Sequence, residues 1–172
     1  MNYGEIKKTD IANGVGVRVS LFVSGCRHHC QNCFNEDTWD FNFGKPFDES
    51  AQKEVIDALS KPFIAGLTLI GGEPFEAENQ KPLLDFVKKV RSIYENKNIW
   101  CYSGFTFDEI MGKSRASGPT AKELISYIDV LVDGRFVENL KDISLKFRGS
   151  SNQRIIDIKE TLKQGKIVEL KL

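Results

Sequence analysis

The chain has 172 residues and a mass of 19.4 kDa, which is the size of one domain, so we expect residues 1–172 to form a single domain. Hydrophobic residues make up 41% of the sequence and charged residues 28%, which excludes an intrinsically disordered chain. The 24 basic and 24 acidic residues cancel, which argues against bulk binding to nucleic acid or to an anionic membrane. No apolar run is long enough to span a bilayer and no signal-peptide pattern opens the sequence, so we expect a soluble, cytoplasmic protein.

The first half of the chain predicts strands and helices in alternation. A β-branched run over 15–24 follows the turn signal Asn13-Gly14 and predicts a strand, and 25–44 has the composition of a loop. Asp48 is placed to cap a helix that continues to about Ser60. A short apolar strand over 67–70 ends in two glycines. Asn79 is then placed to cap a second helix with Pro82 in its first turn, and its apolar stripe continues to Tyr94.

The second half continues this alternation. Strands are predicted over 99–102 and 130–132, separated by short helices over 107–111 and 120–127. Two further strand-like pieces, 154–158 and 166–170, flank 160–164. Repeated strand–helix units favour a mainly parallel sheet, and the chain is too short for a complete eightfold barrel. We therefore expect an α/β fold that forms an incomplete, open parallel β/α barrel.

Cysteines are the strongest chemical signal in the sequence. Cys26, Cys30 and Cys33 lie within eight residues in the pattern C-x-x-x-C-x-x-C, and Cys101 lies far along the chain. Intracellular chains seldom hold disulfides, so clustered thiols favour a metal or iron–sulfur site. Three thiolates suit a [4Fe–4S] cluster with one open iron, but they equally suit a structural zinc ion whose fourth ligand is His28, His29 or Cys101. We expect both histidines to face solvent.

Two glycines follow the second predicted strand, in Gly71-Gly72-Glu73-Pro74. Glycines at the end of a strand allow a ligand to approach the backbone closely. Polar residues and glycines follow the other strands as well, at the edge where α/β proteins bind ligands. An open cluster and this glycine pair at the same edge indicate the floor of a ligand site.

The cysteine spacing and the GGEP sequence resemble the radical S-adenosylmethionine (SAM) superfamily. Residues 13–35 resemble the N-terminal signature of the glycyl-radical enzyme activases within it. The segments 100–110, 129–136 and 147–157 are similar to the family that activates anaerobic ribonucleoside-triphosphate reductases. The resemblance extends over nearly the whole chain.

The resemblance implies a fold, two cofactors and a partner. The fold is the open barrel of the radical SAM type, and Cys26, Cys30 and Cys33 hold a [4Fe–4S] cluster whose open iron binds SAM. Reductive cleavage of SAM gives methionine and a 5′-deoxyadenosyl radical, which creates the glycyl radical of the reductase. The implied partners are the large subunit of that reductase and an electron donor such as reduced flavodoxin. We assign no catalytic side chain, because the cofactors carry the chemistry.

The resemblance also assigns individual residues. Those expected to contact SAM are Asn32, Cys33, Phe34, Gly71, Gly72, Ser103 and Asp133. Ser103 and Asp133 would hold polar groups of SAM or a cation, with a helix cap and a turn aspartate as the alternatives. The segment 148–154 would meet SAM or the partner, and Cys101 is interpreted as a small buried hydrophobe. Two alternative functions stay open: activation of another glycyl-radical enzyme such as the formate-lyase type, or a non-catalytic zinc-binding interaction module.

Overall fold

A computed structural model describes all residues, 1–172, as one mixed sheet flanked by helices. The strands are β1 (Asn2–Asp10), β2 (Val17–Val23), β3 (Lys45–Pro46), β4 (Ile64–Gly71), β5 (Asn98–Ser103), β6 (Val130–Asp133) and β7 (Arg154–Asp157). The α-helices are α1 (Glu49–Leu59), α2 (Ala77–Ile93), α3 (Phe107–Met111), α4 (Pro119–Ser126) and α5 (Ile158–Gln164). None of the five helices combines the length and the hydrophobicity needed to cross a bilayer.

The seven strands lie in the order β3-β1-β2-β4-β5-β6-β7. The four central strands β2, β4, β5 and β6 are parallel, which confirms the predicted α/β class. The two edges are antiparallel, because β1 and β3 pair on one side and β7 pairs with β6 on the other. The sheet is therefore mixed, with a parallel centre.

The structure differs from the prediction in β1, in the segment 166–170 and at the start of α2. The first strand, β1, was not predicted; it pairs antiparallel with β2 and carries Glu5, Lys7 and Lys8 on a largely exposed edge. The strand-like segment predicted over 166–170 forms no regular strand, but it meets β7 through one isolated bridge, between Ile156 and Glu169, and through two backbone hydrogen bonds. The helix cap predicted at Asn79 is also wrong, because α2 begins earlier, with Glu76 as its N-cap residue.

Asn79 does not cap the helix but bonds to two loops near its N-terminus. Its side chain is buried, and its Nδ2 atom donates to the carbonyl oxygens of Ser24 and Glu73, each at 3.0 Å. Pro82 consequently lies inside α2 rather than in its first turn. The cap predicted at Asp48 is confirmed, since its carboxylate accepts from the amide of Ala51 at 3.0 Å.

Residues of each central strand alternate between the two faces of the sheet. Ile99 and Cys101 pack in the main core beneath the helices, whereas Trp100 and Tyr102 belong to a second cluster on the opposite face. Because side chains alternate along a strand, this register decides which residues reach the cavity described below.

Arg18 is fully buried near the start of β2 and has no carboxylate partner. Its guanidinium donates to the side chains of Thr68 and Asn98 and to the carbonyl oxygens of Val15, Leu67 and Asn98, at 2.7–3.3 Å. Burial lowers the pKa of Arg18 to about 10, which leaves the side chain charged at neutral pH. One cation therefore joins the start of β2, the middle of β4 and the first residue of β5.

Candidate functional site

The carboxyl ends of the four parallel strands meet at one edge of the sheet. Val23 pairs with Gly71, and Ser103 pairs with Asp133, so the segments that follow these strands are neighbours. A cavity of about 620 Å³ opens at this edge. The predicted site residues that line it are Cys26, Cys30, Cys33, Phe34, Gly71, Gly72 and Ser103.

Backbone hydrogen bonds hold the start of the cysteine loop against the segment that follows it. The amides of Gly25 and Cys26 donate to the carbonyl oxygens of Thr38 and Trp39, at 2.8 and 3.1 Å. His29 and Asn32 adopt positive φ angles of 49° and 55°, which reverse the chain between the cysteines. These contacts bring three cysteines from one short segment to the same cavity.

All three thiols of the loop are free, and two of them accept hydrogen bonds from backbone amides. The amide of His28 donates to Sγ of Cys26 at 3.5 Å, and the amide of Asn35 donates to Sγ of Cys33 at 3.4 Å. Hydrogen bonds to sulfur tune the potential of iron–sulfur centres. The donor set therefore suits thiolates that ligate iron.

Burial raises the pKa of the Cys26 thiol to about 12, and burial together with Cys33 raises the pKa of Cys30. Without a bound cation, both thiols consequently stay protonated at neutral pH. Because ligating cysteines must be thiolates, metal binding here releases protons.

The fourth cysteine and the second histidine of the loop do not join the three thiols. Cys101 is completely buried in the core on the other face of the sheet, and burial raises its thiol pKa well above the usual value. The ring of His29 stacks on Trp39, with 4.5 Å between the ring centroids. No three Cys, His, Asp or Glu side chains lie together as ligands of a single metal ion. Cys101 and His29 therefore do not complete a closed four-ligand zinc site with the three thiols of the loop.

The expectation that His28 faces solvent is wrong. Its side chain is only 2% exposed, its ring meets Phe105 edge-on at 4.4 Å, and its Nε2 atom lies 3.0 Å from a carboxylate oxygen of Glu73. The polar loop position concealed this burial, because the carboxylate that satisfies the imidazole comes from a distant strand end. His29 is exposed, as predicted.

Glu73, which the sequence reasoning did not assign, joins three strand ends. Besides His28, its buried carboxylate accepts from Oγ of Ser103 at 2.8 Å and from the amide of Gly104 at 2.7 Å. It also accepts from the amide of Phe75 at 2.8 Å. The sequence signal for this residue was the acid within GGEP itself, because a carboxyl group buried beside strand ends needs several hydrogen-bond partners.

The two glycines before Glu73 are required by the protein's own backbone. Gly71 has a φ of 104°, and a Cβ atom on Gly72 would lie 2.7 Å from the carbonyl oxygen of Gly25. The amide of Gly72 donates to Val23 at 2.7 Å. Contact between this turn and the residue before Cys26 therefore explains Gly72 without a ligand.

Ser103 and Asp133 are already bonded within the protein. Ser103 donates to Glu73 and accepts from the amide of Phe105 at 3.0 Å. The carboxylate of Asp133 is buried and does not line the cavity. It accepts from the amide of Phe107 at 2.7 Å and from the guanidinium of Arg154 at 2.5 and 2.9 Å. The structure thus uses both groups to hold neighbouring segments.

The remaining predicted contacts lie at the cavity mouth. Phe34 is 70% exposed, and its ring centroid lies 5.3 Å from that of Phe136. Asn32 does not line the cavity, whereas Arg148 does and also donates to the carbonyl oxygen of Gln153 at 2.6 Å. Phe34 is therefore free to pack against a molecule in the mouth.

Three buried polar atoms at the cavity have no partner in the protein. They are Nδ1 of His28, Nε1 of Trp39 and the hydroxyl of Tyr102, and all three side chains line the cavity. Buried polar atoms are nearly always hydrogen-bonded in folded proteins. These three atoms are thus available to a bound ligand, and of the three residues only His28 was singled out from the sequence, as a possible zinc ligand.

Comparison with known proteins places the chain in one family. A family model described as a 4Fe-4S single cluster domain matches residues 12–156. Anaerobic ribonucleoside-triphosphate reductase-activating proteins of Pasteurella multocida and Haemophilus influenzae are each 41% identical over 157 residues, covering 90% of this chain and 96% and 97% of theirs. The protein of that name from Escherichia coli is 40% identical over 155 residues, covering 89% of this chain and 96% of its own. The chain therefore belongs to the family of anaerobic ribonucleoside-triphosphate reductase-activating proteins, which confirms the resemblance found in its sequence.

Proposed function

We propose that this protein is a radical SAM activase that generates the glycyl radical of an anaerobic ribonucleoside-triphosphate reductase. The single observation that carries the proposal is the loop of three free thiols at one cavity, with the fourth cysteine buried in the core away from it. Family membership supports both the cluster and the target. The open β/α barrel of the radical SAM type is part of the same proposal.

Cys26, Cys30 and Cys33 would hold the [4Fe–4S] cluster. When bound, the reduced cluster supplies the electron that splits SAM into methionine and a 5′-deoxyadenosyl radical, which takes a hydrogen atom from a glycine of the reductase. The protein's own task is to hold the ligands, orient the substrate and restrict water. Reduced flavodoxin is the kind of donor we expect, in the cytoplasm.

The residues around the cavity would divide the binding of SAM between them. Phe34, beside the last cysteine, offers an apolar face to the nucleoside, and Gly71 and Gly72 form the floor. The unpartnered atoms of His28, Trp39 and Tyr102 offer hydrogen bonds to the polar groups of SAM. Asn32, Ser103 and Asp133 would act by shaping the loop and the strand ends, since the last two are bonded within the protein.

Anaerobic reconstitution tests the proposal. We expect about four iron and four sulfide per chain, a brown protein, 5′-deoxyadenosine when SAM and dithionite are added, and a glycyl signal in electron paramagnetic resonance once the reductase is present. If the protein cleaves SAM but forms the radical on a different glycyl-radical enzyme, the proposed chemistry stands and only the target changes. A colourless protein that binds zinc and never cleaves SAM would overturn the proposal.

A further inference from the structure

An unusually long connection borders the cavity. Strands β6 and β7 are antiparallel neighbours, and such strands can be joined by two residues. Here the connection covers residues 134–153, which we call the β6–β7 loop. Long ordered loops in compact domains are usually functional.

The base of this loop is fixed by its own hydrogen bonds. The side chain of Gln153 accepts from the amides of Gly149 and Ser150 at 2.8 and 3.1 Å and donates to the carbonyl oxygen of Gly134 at 2.9 Å. Oγ of the buried Ser150 accepts from the amide of Val137 at 3.2 Å. The loop is therefore ordered before any partner arrives, which lowers the entropic cost of binding.

The tip of the loop is apolar and exposed to solvent. Ile143 is 95% exposed, more than any other large hydrophobic side chain in the protein, and Leu140 is 43% exposed. Their exposure has no structural benefit for the isolated protein, because burying an apolar side chain is favourable. Exposed apolar groups beside a cavity are typical of a surface that a partner covers.

The same loop carries an excess of positive charge. It contains Arg135, Lys141, Lys146 and Arg148 against two acidic residues, although the charges of the whole chain cancel. Lys141 and Arg148 line the mouth of the cavity, so this charge lies where a partner must enter. A complementary segment would be acidic around an apolar residue.

We infer that the β6–β7 loop is the docking surface for an extended segment of the reductase, acidic around one apolar side chain, that brings its glycine into the cavity. The apolar side chain covers Ile143, and the acidic groups face Lys141 and Lys146. This inference rests on the proposed function, because the reductase is the partner only if the protein activates it. The inference adds the surface on which the reductase docks and the kind of side chains by which it is recognised.

Two substitutions in the loop and two matched controls test the inference. The loop variants are Ile143→Asp and Lys146→Glu, both at exposed positions that do not disturb the fold. The controls are Phe63→Asp, at the opposite end of β4, and Lys166→Glu, after α5. The dissociation constant for the reductase is measured for each reconstituted protein, together with glycyl radical yield and with 5′-deoxyadenosine formed without reductase.

We expect each loop variant to raise the dissociation constant about tenfold and to lower the radical yield, because exposed residues at the centre of an interface carry much of its affinity. Cleavage of SAM without reductase should stay at the level of the controls. Unchanged affinity in both loop variants, or equal losses in the controls, would overturn the inference. A wild-type protein that binds the reductase through Ile143 but never cleaves SAM would reject the proposed function and leave the docking surface intact.

Discussion

Nε2 of His28 and Oε2 of Glu73 lie 3.0 Å apart, and this contact ties the cysteine loop to the end of β4. Both side chains are almost completely buried, at 2% and 1% exposure. Because Glu73 also accepts from Ser103 and Gly104, the loop, β4 and β5 share one carboxylate. The position of the thiols relative to the cavity floor thus depends on a residue that touches none of them.

Replacing Glu73 by glutamine tests this dependence. Glutamine keeps the size of the side chain but replaces one accepting oxygen with a donor, so at least one buried donor loses its partner. We expect the free energy of unfolding of the apoprotein to fall by about 2–3 kcal/mol, as measured by urea denaturation. Glu78→Gln is the control, because that side chain is half exposed and pairs only with Arg27. Equal stability of Glu73→Gln and wild type would show that the shared carboxylate is not needed.

The four cysteines should fall into two groups when each is replaced by alanine. Loss of Cys26, Cys30 or Cys33 should abolish the cluster and all cleavage of SAM, because each would be one of only three protein ligands. Cys101→Ala should keep both and lose about 1–2 kcal/mol of stability, since it truncates a buried side chain. Iron content per chain decides the matter. A Cys101 variant as poor in iron as the Cys30 variant would establish a four-cysteine site.

Gly72→Ala should move the cysteine loop. The new methyl group would lie 2.7 Å from the carbonyl oxygen of Gly25 and 2.9 Å from that of Thr38, so the backbone beside Cys26 must shift. We expect weaker cluster retention and a reduced SAM-dependent change in the spectrum of the reduced cluster. Gly165→Ala is the control, because it strains a positive φ of 65° without meeting any atom. Normal cluster retention in the Gly72 variant would show that the close approach of Gly72 to Gly25 does not position the cysteine loop.

The stability contributed by Asp129 should depend on pH. Burial acts to raise the pKa of Asp129, but hydrogen bonds from Lys159, Arg91 and the amide of Ile99 outweigh burial and hold that pKa below its usual value. The ionised carboxylate therefore stabilises the folded state above the unfolded pKa of about 4, and this contribution is lost as pH falls through the lower, folded pKa.

Asp129→Asn should accordingly lower the free energy of unfolding by about 2 kcal/mol at neutral pH, and the difference from wild type should shrink under acid conditions. Urea denaturation at neutral and at acid pH measures this difference in the free energy of unfolding. Asp85→Asn, which removes an exposed pair with Lys81, should cost less than about 0.5 kcal/mol at either pH. If the loss of unfolding free energy in Asp129→Asn stays constant with pH, the ionised carboxylate of Asp129 is not the source of the stabilisation.

Local patterns in the sequence predicted the parts of the site that depend on neighbours along the chain. The cysteine spacing identified the loop, and the glycines after 67–70 identified the end of β4, because both signals lie within a few residues. Burial of Cys101 was also predicted. These features need no knowledge of the tertiary structure.

Contacts between distant segments were not predicted from the sequence. His28 was expected in solvent because its partner Glu73 is 45 residues away, and Asn79 was interpreted as a cap because its acceptors lie on other loops. The pairing of β1 with β2 was missed for a different reason: a largely exposed strand with several charged residues has a weak apolar pattern. In each case the tertiary contact decides the role of the residue.

Arg18 has a consequence for how the sheet opens. Because its guanidinium bonds to groups on β4 and β5 as well as near its own strand, separating any one of these strands at this end breaks bonds to a buried charge. The amide hydrogens around Arg18 in the three strands should therefore exchange with deuterium through one shared opening. In Arg18→Met, each strand should exchange at its own rate, and the end of the sheet remote from the cysteines would lose its cooperativity.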